Sequence, residues 1–269
     1  MILNEEDKEQ AICILSGQIT FLFNRDREWC MKNLFPFLIS ENVEEFRAAW
    51  EGITWFSGHA YKELADEMMP IYLCVIDRLD SLEGETRKRF IDVYTNILIY
   101  AVDDPIVEFI PRLFRIANKE DRKQFVNSVR RELHRMDNKQ KHYIWNVWLK
   151  DYWKNRIKNI LVSLEKYENS EMLKWICELG ELYSEAVEII ISGPQVSNVE
   201  SHFWHKLKRG EWVRWYPDVT AKLITFLLDS NIDLGYFHKE VREMVETISC
   251  TDINNQNALS EALLRRGVL

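Results

Sequence analysis

Glycine and proline are scarce, nine and six among 269 residues. Tight turns are built mainly from those two with Asn, Asp and Ser, so a sandwich or barrel of many short strands is excluded. Long apolar runs are missing as well. A stretch such as Ile97 to Val102 is far short of the roughly 20 residues that span a bilayer. The five cysteines, Cys13, Cys30, Cys74, Cys177 and Cys250, are odd in number, scattered, and never spaced C-x-x-C. That pattern excludes a disulfide framework and a zinc knuckle and fits reduced thiols. Met1 leads straight into Asn4-Glu5-Glu6-Asp7 with no apolar leader, and the expected location is the cytoplasm. No G-x-x-x-x-G-K-[ST] phosphate loop, G-x-G-x-x-G, G-x-S-x-G elbow or H-E-x-x-H pair occurs. With glycine this sparse, no backbone cradle for phosphates is expected at any of them. The expectation is therefore no catalytic residues, no cofactor and no metal.

What is present is helical patterning. Phe90, Val93, Tyr94, Ile97 and Ala101 recur on one face of a 3.6-residue period, as do Val219, Leu223, Phe226 and Leu227, and Val241, Met244, Val245 and Ile248. Asn4, Asn42, Thr86, Asp137 and Asp218 precede such runs as candidate N-caps, and Asp103-Asp104-Pro105 reads as another helix start. The acidic opening Glu5-Glu6-Asp7 suits a helix N-terminus in the same way. These signals predict an all-α chain of about eleven to fourteen helices joined by short loops, the longest at residues 193–198 and 231–235. Prolines sit inside apolar helical patterns at Pro36, Pro70 and Pro111, 34 and 41 residues apart. That spacing approaches the period of two-helix repeats, so the expected architecture is a HEAT-like α-solenoid of antiparallel helix pairs. Three unrelated helix ends are the plainer account. The chain is read as one helical-repeat domain over 1–269, with a subdivision into 1–140 and 141–269 as the alternative.

Charge is unevenly distributed. Residues 1–121 carry 13 Lys/Arg against 23 Asp/Glu, residues 122–158 carry 11 against 3, and residues 159–269 carry 11 against 17. Within the basic stretch, Arg130, Arg131, Arg135, Lys139, Lys141, Lys150, Lys154 and Arg156 are the candidate partner-binding residues. They alternate with Tyr143, Trp145, Trp148, Tyr152 and Trp153. Cations neutralise phosphates and aromatic faces stack on bases, so single-stranded nucleic acid is one candidate partner. An acidic protein surface is the stronger candidate, because the net charge of −8 opposes general nucleic-acid affinity. The plain alternative is a solvated face, with Ile144, Trp148 and Tyr152 holding the helix to the core. His59 and Glu63 with Glu67, and His202 with His205, have spacings that could share a metal, but polar helix faces and surface histidines account for them better.

The second half carries one resemblance. The run Trp148-Leu149-Lys150-Asp151-Tyr152-Trp153-Lys154-Asn155-Arg156, then Glu171-Met172-Leu173-Lys174-Trp175 with Leu179, then Ala186-Val187-Glu188, then Tyr216-Pro217-Asp218 with Leu223 and Leu227-Leu228, resembles the helical C-terminal region attached to sirtuin-like domains in some bacterial defence proteins. The likeness covers roughly residues 140–250. It departs where a Gly-x-Pro turn expected after Asn155-Arg156 is replaced by Asn159-Ile160-Leu161. The sirtuin-like catalytic domain is absent, so no catalytic residue transfers. The resemblance implies the sensing or scaffolding part of an anti-phage system without its NAD-consuming enzyme. The functional expectation is a non-enzymatic scaffold that holds a protein partner. A nucleic-acid accessory protein using residues 122–158 is the alternative, and an enzyme with a site assembled from several helices is the third.

Overall fold

The computed structural model describes residues 5–56 and 61–268. Its described residues are all helix, turn and loop, with no strand, as the periodicity predicts. The chain divides into two compact units, 1–129 and 130–269.

The first unit holds α1 (Glu5–Gly17), α2 (Ile19–Arg25), α3 (Arg27–Asn33), α4 (Phe35–Leu38), α5 (Val43–Phe56), α6 (Lys62–Asp77), α7 (Gly84–Tyr100), α8 (Phe109–Ile116) and most of α9 (Lys119–Arg135). Helix α5 packs against α1 and α7, and α6 against α8. The α1–α5 crossing is made by glycine. A Cβ on Gly52 would lie 2.0 Å from the Cys13 carbonyl oxygen, and one on Gly17 would lie 2.8 Å from Phe56 Cβ. The core centres on Trp50, whose ring meets Phe90 at 5.1 Å and Tyr72 at 5.4 Å, with Tyr94 stacked on Phe90 at 6.0 Å. Burying rings this large requires partners for their polar atoms. Trp50 Nε1 donates to the Leu38 carbonyl at 2.9 Å and Tyr94 Oη to that of Phe109 at 3.2 Å.

The second unit begins with the end of α9 and continues through α10 (Asn138–Ile144), a π-helical turn (Trp145–Leu149) and α11 (Lys150–Ile157). Then come α12 (Lys166–Leu173), α13 (Tyr183–Ile191), α14 (Ser201–Arg209), α15 (Trp212–Trp215), α16 (Pro217–Asp229), α17 (His238–Thr247) and α18 (Ile253–Arg265). Its core is tryptophan: Trp153 meets Trp175 at 5.2 Å and Trp145 at 6.3 Å, and Tyr183 stacks on Trp212 at 4.8 Å. The π turn lets Trp145, Trp148, Leu149, Tyr152, Trp153 and Arg156 all face inward.

The helices are shorter and more numerous than expected, because Asp26, Leu34 and the 3-10 turns of 176–178 and 180–182 interrupt runs whose apolar period reads as continuous. Of the three prolines only Pro70 lies in a helix interior. Pro36 and Pro111 occupy first turns of α4 and α8, where the missing N–H interrupts nothing. Bending of one helix per repeat therefore rests on a single site.

The caps divide likewise. Asn42 accepts from the Glu44 and Glu45 amides, and Asp137 forms a reciprocal capping box with Gln140. Thr86 falls inside the first turn of α7, which starts at Gly84. Asp104 accepts from the Ile106 amide in a turn well before α8, so that acidic pair caps a turn rather than a helix. Asp218 also lies inside its helix and serves a different one. Its carboxylate accepts from Thr251 Oγ1 at 2.5 Å and the Asp252 amide at 3.0 Å, ahead of α18. Helix α1 is described from Glu5 onward; Asn4 and His59 lie outside the described residues.

Candidate functional site

Helix α9 is held to the core by Phe125, Val126, Val129, Leu133 and Met136, all buried. That spacing turns Arg130, Arg131, His134 and Arg135 toward one side, where they line a groove of about 340 Å³ with Glu178, His202 and Lys206. The opposite wall is α14, on which His202 and Lys206 stand one turn apart. Glu178, at the end of a 3-10 turn, is the only carboxylate of the lining.

The floor is an ion-pair network. Lys206 Nζ donates to Glu178 Oε1 at 2.5 Å, and His134 Nδ1 lies 3.1 Å from Glu178 Oε2. Burial would raise the Glu178 carboxyl, but the hydrogen bonds from Lys206 and His134 outweigh it and hold it below its usual range. Arg135 donates to the buried Glu132 at 2.6 Å. Arg130 lines the groove while its Nε is buried and lacks a hydrogen-bond partner. Lys141 nearby is held below the ordinary lysine range, first by burial and then by the Lys206 charge, against the opposing pull of Glu178.

The sequence candidates therefore separate. Arg130, Arg131 and Arg135 converge. Lys139 and Lys154 are exposed on other turns, and Lys150 pairs with Glu185 at 2.5 Å. Arg156 is not a surface group at all. Its side chain and that of Glu168 are fully buried, joined at 2.8 Å and 3.0 Å. The same guanidinium donates to the carbonyls of Ile160, Val162 and Ser163. It pins the loop where a glycine turn is expected: Asn159 has φ 58° and Leu161 φ 81°, both left-handed.

The aromatics of the basic stretch are likewise structural. Trp145, Trp148, Tyr152 and Trp153 are buried and only Tyr143 is exposed, which removes the stacking platform that single-stranded nucleic acid requires. His134, Glu178, His202 and Lys206 were outside the expected partner-binding set. Their meeting depends on how 130–135 and 202–206 fold together, and no local spacing reports that. His202 faces the groove and His205 packs edge-on against Phe237 at 5.5 Å, so the pair does not converge. Among the described residues no three His, Cys, Asp or Glu side chains gather as a metal site. No described helix is long and apolar enough to cross a membrane.

The profile of a family described as a domain of unknown function (DUF4020) matches residues 98–262. No curated protein and no solved structure matches the chain.

Proposed function

We propose, from the premise that this chain belongs to the DUF4020 family, that it is a helical interaction module that holds an acidic protein partner in the groove between α9 and α14. The observation that carries this reading is convergence. Arg130, Arg131 and Arg135 meet Lys206 and His202, some seventy residues on, around one carboxylate that is already engaged. A solvated face would have no reason to gather cations from two helices, since like charges side by side oppose folding. A complementary acidic surface turns that repulsion into attraction and speeds encounter. The resemblance of residues 140–250 to the helical region beside sirtuin-like domains supports placing the module in a bacterial defence system, as its sensing or scaffolding part.

The test uses the exposed walls and spares the floor. Reversing Arg135 would leave the buried Glu132 facing a second carboxylate, and reversing Lys206 would strand Glu178. Arg131 and His202 are exposed on opposite helices. The double variant Arg131→Glu/His202→Glu is expected to fold, with stability changed by about 0.5 kcal/mol per site. In pull-downs from the native host it should lose the partners that the wild type holds, and those partners should elute at raised salt. A variant that retains every partner at unchanged melting temperature removes the groove from the interface.

A further inference from the structure

We propose that the group seated in the α9–α14 groove is a phosphorylated side chain of the protein partner, a proposal that rests on the acidic-partner reading above. The lining carries four permanent cations, Arg130, Arg131, Arg135 and Lys206, against the single carboxylate of Glu178. That carboxylate is already bridged by Lys206 and His134. A lone Asp or Glu brings one charge and two oxygens to such a site. A phosphomonoester brings a charge of about −1.5 to −2 and three acceptor oxygens, and guanidinium forks match it in a way that an ammonium does not. The permanent cations that α9 contributes to the groove are all arginines. One of them, Arg130, lines the groove while its Nε is buried and without a hydrogen-bond partner, so one donor of that guanidinium is unmet within the protein.

The lining also argues against other phosphate carriers. Its only rings are the imidazoles of His134 and His202; with no Trp, Tyr or Phe face, a nucleotide base or a single strand of nucleic acid lacks the broad stacking platform that binds it. It contains no apolar side chain to accept the acyl chain of a lipid. A phosphoryl group on a protein segment crossing the groove needs neither.

Calorimetric titration of the full chain tests this with four probes: a Gly-Ser peptide bearing one phosphoserine, the same peptide with Glu or with Ser at that position, and a single-stranded thymidine oligonucleotide. The expected order is phosphoserine over Glu by about tenfold or more, with Ser not binding. Arg130→Lys keeps the charge and loses the fork. It should erase the preference of phosphoserine over Glu while the melting temperature holds, and inorganic phosphate should compete with the phosphopeptide. Equal binding of the phosphoserine and Glu peptides would overturn the phosphate assignment and leave the acidic-partner reading standing. Loss of host partners on Arg131→Glu/His202→Glu, alongside no peptide binding, would separate the two in the same way. Tighter binding of the oligonucleotide than of the phosphopeptide would also overturn the proposal. So would an Arg130→Lys protein that keeps the full preference.

Discussion

At the scale of single residues, Arg156 shows how chemistry that looks superficial becomes internal. An arginine in a run with Lys150, Lys154 and Lys158 reads as one more surface cation. Its fate is decided by Glu168, twelve residues on, which returns beside it after a loop with two left-handed residues. Both side chains are fully buried, so removing one leaves the other as an uncompensated charge away from water. Arg156→Met is expected to cost about 3–5 kcal/mol in urea denaturation, because desolvation of the stranded carboxylate is no longer offset. The three carbonyls it now binds lose their donor as well. A cost no larger than that of an exposed arginine would show that the pair is open to solvent.

The groove obeys the same logic from the other side. Its arginines were legible because Phe125, Val129, Leu133 and Met136 mark the inward stripe of α9. The opposing Lys206 and His202 were not, since nothing in nine residues of α14 states which helix it will face. Tryptophan was ambiguous for a related reason. Aromatic rings among cations carry the same local pattern whether they stack on a ligand or fill a core, and here all but Tyr143 fill the core.

At the scale of elements, two contacts decide how helices meet. Gly52 lies mid-helix in α5, where alanine is favoured over glycine by about 1 kcal/mol on propensity alone. The crossing with α1 reverses that preference, since a Cβ would stand 2.0 Å from a backbone oxygen and 2.9 Å from the Gly17 amide nitrogen. Backbone cannot move aside as a side-chain tip can, and overpacking costs of about 1–3 kcal/mol or more exceed the propensity gain. Gly52→Ala should therefore lower the melting temperature of the first unit, on the order of 5 °C; an unchanged or raised value would place the α1–α5 contact elsewhere.

The second contact is the carboxylate of Asp218 on α16, which gathers the Thr251 hydroxyl and amide and the Asp252 amide at the entrance to α18. Those bonds, the Thr251 hydroxyl first, pull its pKa down to about 2. An unfolded aspartate titrates near 3.9. The native contact is thus at full strength above about pH 4 and is lost as pH falls through about 2. Amide resonances of Thr251 and Asp252 should titrate with a midpoint close to 2, and Asp218→Asn should abolish that titration. A midpoint near 4 would mean that the bonds do not hold in solution.

At the scale of the whole molecule, all-helical architecture was the most legible property, because scarcity of turn residues and a 3.6-residue period point the same way along the entire chain. The division into units was less legible. It falls inside α9, where composition changes from acidic to basic but helix continues. A boundary within an unbroken helix leaves no proline, glycine or polar linker to mark it. The family match from 98 to 262 crosses that boundary, so the segment shared by the family takes in the end of the first unit and most of the second. Each unit nevertheless has its own aromatic core, Trp50 with Phe90 and Tyr72 in one, Trp153 with Trp145 and Trp175 in the other. A unit with its own core has the means to unfold on its own. Scanning calorimetry of the full chain should resolve two transitions, with Gly52→Ala lowering one and Arg156→Met the other. A single transition moved by both substitutions would mean that stability is shared along the whole chain, and that a partner seated on α9 would stabilise residues 1–129 as much as the unit that holds the groove.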